Sequence, residues 1–106
     1  MKKIEIESID DPHLLDGTYL QGHLNASYQQ LCSVFGSPVA FVNDDNTRAE
    51  WRLSMHEDDK TIFVAIYDWR REEPVESVTE WNIGGHSARA IDLVNRAIKE
   101  SQSARP

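Results

Sequence analysis

The residues able to do chemistry are few and scattered. Four histidines, His13, His23, His56 and His86, and one cysteine, Cys32, are spread along the chain. A metal site needs several His, Cys, Asp or Glu side chains converging, which His-x-x-x-His or Cys-x-x-Cys spacing announces. Neither spacing occurs, and Asp44-Asp45-Asn46 lacks the length and terminal Glu of a calcium loop. No metal and no cofactor is expected. Nucleophilic catalysis needs an adjacent base and an orienting group. Cys32 falls on an apolar helical stripe, where cysteine behaves as a small hydrophobe, and no Gly-x-Ser-x-Gly elbow exists. Glu50 and Glu80 fall in strands, opposite the expected core faces, and should see solvent. No catalytic residue is assigned, and the expectation is a protein that is not an enzyme.

Two features remain that can bind. The first is Gly84-Gly85-His86-Ser87-Ala88-Arg89. Two glycines before a helix start can expose backbone N–H groups to an anion, with His86 or Arg89 assisting. The same glycines also suit a plain strand-to-helix turn. Gly84, Gly85, His86 and Arg89 are therefore candidate ligand-binding residues, for a nucleotide-type ligand among others. The second feature is a set of acidic clusters: Asp44 and Asp45; Glu57, Asp58 and Asp59; Glu72 and Glu73. A face built from these carboxylates can match a basic surface on another protein. A solvated surface that keeps a small domain soluble has the same composition.

Charge supports this direction. The chain has 106 residues and a net charge of −7, with 40% apolar and 27% charged residues. Residues 1–47 hold two lysines against seven acids, so most of the imbalance lies in the first half. A phosphate backbone or an anionic membrane would need the opposite sign, so neither direct nucleic-acid binding nor membrane docking is expected. No stretch approaches the roughly 18 apolar residues of a span, and no apolar signal core follows Met-Lys-Lys. A lone cysteine makes an internal disulfide impossible and suits a reducing cytoplasm.

The elements that must position these groups can be read from periodicity. Lys2–Ser8 alternates as a half-buried strand, which Asp10-Asp11-Pro12 breaks. Residues 13–24 show no clear period, with at most a short extended piece at Thr18-Tyr19-Leu20. Ser27 and Gln30 fit a helix start, and Tyr28, Leu31, Cys32 and Phe35 form its apolar stripe. Gly36 and Pro38 end it. Val39–Val42 reads as a short strand, and Asn43-Asp44-Asp45-Asn46 as a turn. Arg48–Met55 alternates, His56–Lys60 is a charged hairpin loop, and Thr61–Trp69 is apolar on both faces. Such a strand is usually central in its sheet. Val78–Ile83 is a further strand that Gly84-Gly85 ends. A helix from about Ser87 to Glu100 buries Ala90, Ile91, Val94, Ala97 and Ile98, and 101–106 reads as a frayed tail. The expectation is one α+β domain over 1–106, an antiparallel sheet of about four strands packed against two helices. Trp51, Trp69 and Trp81 are placed on neighbouring strands and on one face. Helices on one side leave the second face of Thr61–Trp69 uncovered, which leaves room for a homodimer or another partner.

Three segments carry a resemblance: Ser27-Tyr28-x-x-Leu31-x-x-x-Phe35-Gly36-x-Pro38; Ala49-Glu50-Trp51-x-Leu53 with Ile66-Tyr67-Asp68-Trp69; and Glu80-Trp81-Asn82-Ile83-Gly84-Gly85. In this order they resemble small, mostly uncharacterised proteins encoded by bacteriophages, over roughly residues 25–98. That family commonly carries His in place of Asn82. The resemblance implies phage origin and a role in a host cytoplasm. Small acidic phage proteins without catalytic motifs often resemble inhibitors of host defence, anti-CRISPR proteins among them. The expected function is a non-enzymatic binding protein that inhibits a host protein or ribonucleoprotein complex with a basic surface. The alternative is a small-ligand binder that sequesters a nucleotide-type immune signal.

Overall fold

A computed structural model of the chain describes residues 4–9, 12–40, 47–69 and 72–103. The expected Asn43–Asn46 turn, with Asp44 and Asp45, lies outside the described residues. Among the described residues, six strands and two α-helices follow in the order β1 (Glu5–Ser8), β2 (Tyr19–Asn25), α1 (Tyr28–Phe35), β3 (Val39–Ala40), β4 (Ala49–Glu57), β5 (Lys60–Tyr67), β6 (Glu80–Gly85) and α2 (Arg89–Ser103). Single turns of 3-10 helix at Pro12–Leu15 and Val75–Ser77 precede β2 and β6. The fold is α+β. The sheet is antiparallel throughout in the order β1-β4-β5-β6-β2, with β3 also against β4. The doubly apolar strand Thr61–Trp69 is indeed interior.

β2 is longer than its sequence suggests, for a physical reason. A bulge lies between Leu20 and Gly22, so Leu20 pairs with Gly84 and Leu24 with Trp81. The two leucines fall on opposite faces despite even spacing, which erases the alternation that marks a strand. The strand does end at the glycine pair, but Gly84 and Gly85 are its last two residues, paired with β2 and β5, rather than a turn that follows it. The helix runs to Ser103, three residues into the expected tail.

Both helices cover one face. Ser27 Oγ accepts the N–H of Gln30 at 3.0 Å, and the N–H of Gly36, at φ 88°, donates to Cys32 O. A non-glycine side chain is disfavoured at that φ, so α1 stops there. Leu31 and Phe35 of α1 and Ala90, Leu93, Val94, Ala97 and Ile98 of α2 are buried against Trp51, Leu53, Met55, Val64, Ile66, Trp81 and Ile83 of the sheet. Trp51 and Trp81 meet edge to face with centroids 5.2 Å apart. Their indole N–H groups donate to Gly36 O and Ala26 O at 2.8 and 2.9 Å, so neither buried polar tip is unsatisfied. Trp69 departs from the expected trio. It follows β5 and is 48% exposed, away from this core.

Candidate functional site on the helix-free sheet face

Register places Glu50, Arg52, Ser54 and His56 of β4 on the face opposite the helices, beside Tyr67, Ala65, Phe63 and Thr61 of β5. Asn82 and Gly84 of β6 continue that face. Leu15, Thr18 and Tyr19 approach it from the segment leading into β2. Together they line an open cavity of about 320 Å³ with Glu50, Arg52, Ala65, Tyr67, Trp69, Thr47 and Gly84. Its floor is low because Gly84 has no side chain; a Cβ there would touch Tyr67 Cε1 at 3.4 Å. Tyr19 is 65% exposed, and Leu14 and Leu20 are exposed as well.

The cavity holds an ion pair. Arg52 Nε donates to Glu50 Oε2 at 2.5 Å, with both side chains largely buried. The expectation that Glu50 sees open solvent is thus corrected: cross-strand neighbours and Arg52 enclose it. Burial, and then the charge of Glu50, pushes the Tyr67 phenol above its ordinary pKa. Aromatic walls around a paired carboxylate and guanidinium can hold a planar group and read its polar edge.

Beside the cavity, a buried carboxylate fixes the rim. Asp68 accepts the N–H groups of Arg48 and Ala49 at 2.8 and 3.0 Å, and Arg48 Nε at 3.0 Å. Arg48 Nη1 donates to Glu73 O at 2.6 Å. Residues 47–49 are thereby tied to Asp68, between Tyr67 and Trp69. Periodicity carries no mark of this role, because an Asp at a strand end ordinarily signals only a turn.

The acidic candidates separate. Glu57 is engaged by Arg89 and Arg96, both of α2. Its pKa is lowered, chiefly by the hydrogen bond from Arg96 and further by Arg89, while Arg96 is pushed up in turn. Asp58 and Asp59 form the exposed tip of the β4–β5 hairpin, Asp58 at φ 60°. Glu72 and Glu73 are exposed.

The ligand candidates separate too. Gly84 and Gly85 are buried strand residues, and Gly85 O accepts Gln21 Nε2 at 2.9 Å. Arg89 faces Glu57 and Asp92 rather than the glycines. His86 is exposed, close to the turn at Gly17. Gly84 belongs to the cavity described above, and the other three residues line no part of it.

One cluster escapes a motif search. His56 Nε2 lies 3.0 Å from Ser54 Oγ, and its Nδ1 lies 2.8 Å from Thr61 Oγ1. The signal was the i, i+2 spacing on an alternating strand, with Thr61 across the hairpin. A hydroxyl against an imidazole is the beginning of a nucleophile–base pair. Acyl transfer also needs N–H donors for the developing oxyanion. β4 is paired on both sides along Ser54–His56, by β1 and β5, so its amides face those ladders. The cluster supplies hydrogen bonds to a half-buried polar strip.

Among the described residues, no group of three or more His, Cys, Asp or Glu side chains gathers as a metal site, and no helix is long and apolar enough to cross a membrane. Compared with protein-family models, curated proteins and solved structures, the chain finds no match.

Proposed function

We propose that the chain is a non-enzymatic binding protein that grips a partner protein with the helix-free face of its sheet. One observation carries the reading. Among the described residues both α-helices pack on one face, and the other holds an open cavity lined by the exposed Tyr19 and Trp69, with the exposed Leu20 on the same face. Large exposed apolar groups so grouped mark interaction surfaces, and Tyr and Trp are the residues that most often dominate them. The net charge of −7 favours a partner with a basic surface. Asp58, Asp59, Glu72 and Glu73 supply exposed carboxylates for that attraction. Glu57 contributes less, because two arginines already engage it. An inhibitory role against a host complex rests on the phage-type sequence resemblance.

A second reading is favoured by the cavity volume of about 320 Å³, at the lower end of small-ligand sites. A base stacked on Trp69 or Tyr67 would meet Arg52 and Glu50 with its polar edge. The nucleotide alternative therefore moves from Gly84-Gly85-His86-Arg89 to this cavity.

Capture from bacterial lysate on the immobilised chain, read by mass spectrometry, tests the first reading. The protein retained by the wild type should be lost with Trp69→Ala/Tyr19→Ala. Titration of a nucleotide panel against Trp69 fluorescence tests the second. A saturable change with one nucleotide and no captured protein would replace the first reading with the second.

A further inference from the structure

The two margins of the sheet are built differently. On one, β1 has four residues and carries Glu5 and Glu7, and β3 has only two. Short strands and charges are the ordinary protection of an edge. The other margin is β2, seven residues long. Its sequence, Tyr19-Leu20-Gln21-Gly22-His23-Leu24-Asn25, contains no Lys, Arg, Asp, Glu or Pro. Among the described residues it is the only strand longer than two residues without a formally charged side chain. Among the described residues, no strand pairs with its outer side. Its single irregularity is the bulge near Gln21, whose side chain turns inward to Gly85 O. Gly22–Asn25 remains in unbroken register with β6.

We propose that β2 is a dimerisation edge, which pairs antiparallel with β2 of a second copy across a two-fold axis. The charge pattern chooses this occupant. A charged segment of another protein meets no counter-charge on β2, whereas the molecule itself supplies an equally uncharged strand. Antiparallel pairing about a two-fold axis is closed, since each copy satisfies the other's unpaired backbone groups and leaves no β2 edge open. With the axis perpendicular to the sheet, both copies keep their helices on one side. The two helix-free faces then form one surface with two cavities, each bordered by its own Tyr19. A partner presenting two matching groups would be held at both.

The dimer and the partner complex respond oppositely to salt, so the two ideas fail separately. Two copies at −7 repel outside the neutral strip, and screening relieves this. Dimerisation should tighten as salt rises, while capture of a basic partner should weaken. Sedimentation velocity over micromolar to high-micromolar concentrations reads the equilibrium directly. The expected result is a reversible shift from 12.1 kDa to twice that mass, enhanced by salt. His23 and Asn25 are exposed on the helix-free side. With the axis at Leu24, position 23 of each copy faces position 25 of the other, and with the axis at His23 the two His23 face each other, so His23→Lys/Asn25→Lys should return the protein to monomer. A single-chain mass at every concentration and salt overturns the proposal, as does a dimer unchanged by the lysines in a variant folded by circular dichroism. Should that variant not fold, hydrogen exchange on the wild type decides. Amide protection in Gly22–Asn25 that grows with concentration supports the pairing, and constant protection refutes it.

Discussion

Asp68 and Arg48 are joined twice: one carboxylate oxygen accepts the backbone N–H of Arg48 at 2.8 Å and the other accepts its Nε at 3.0 Å. Asp68 is fully buried, and Arg48 is about one-third exposed (33%). The pair locks the start of β4 to the end of β5 and so sets the cavity rim at Thr47 and Trp69. Removing one member of a buried pair strands the other and typically costs about 3–5 kcal/mol. Exposure of Arg48 places Asp68→Ala nearer about 2–4 kcal/mol. Urea unfolding should show that loss, and a shift below about 1 kcal/mol would remove Asp68 from this role.

Glu57 makes a pH-dependent contribution. Its folded pKa lies below its ordinary value because Arg96 and Arg89 favour the ionised form. The stabilisation is therefore present above the unfolded carboxylate pKa, about 4.3, and is lost as pH falls through the lower folded value. Glu57→Gln should be less stable than wild type at pH 7, and the gap should close below about pH 4. A gap that stays constant into acid would contradict the pairing with α2.

Tyr67 titrates in the opposite sense. Burial first, and Glu50 second, raise its phenol above the ordinary tyrosine value of about 10. Its protonated form is fully stabilising below about pH 10, and that stability fades as pH rises through the folded pKa. Ultraviolet titration should show two late tyrosines, because burial raises Tyr28 as well, and one of the two should be lost in Tyr67→Phe. Glu50→Gln should bring Tyr67 only partly back, since burial remains.

Two glycines should differ in what alanine costs them. A Cβ on Gly85 would sit 2.8 Å from Ala90 Cβ, a short side chain on a packed helix that has nowhere to go. On Gly22 it would meet Ile91 Cδ1 at 2.7 Å, the far end of a flexible chain. Gly85→Ala should cost about 1–3 kcal/mol through displacement of α2, and Gly22→Ala less, by thermal or urea unfolding. Equal losses would mean that α2 is not seated on Gly85.

These cases show what was legible from residue order. The period of β4, the two apolar faces of β5 and the Ser27–Gly36 bounds of α1 all depend on neighbours in sequence, and they were readable. The uncovered face was foreseeable as well, from a central strand apolar on both sides with only two helices. β2 was hidden because one bulge inverts its faces. The site was hidden because its parts come from distant segments: Tyr19 before the first helix, Arg52 in β4, Trp69 after β5. The acidic clusters were visible as composition, but composition does not show that Glu57 faces two arginines a long way down the chain.

The most direct test of the helix-free face as the recognition surface is calorimetry with the partner recovered from lysate. Kd is compared for wild type, Trp69→Ala/Tyr19→Ala and Asp58→Asn/Asp59→Asn. The face variant should lose at least about tenfold in affinity, about 1.4 kcal/mol. The acidic-tip variant should stay within about threefold at moderate salt, as expected for a rim charge. A face variant that binds like wild type, beside an acidic-tip variant that does not bind, would contradict the account and place recognition on the hairpin tip.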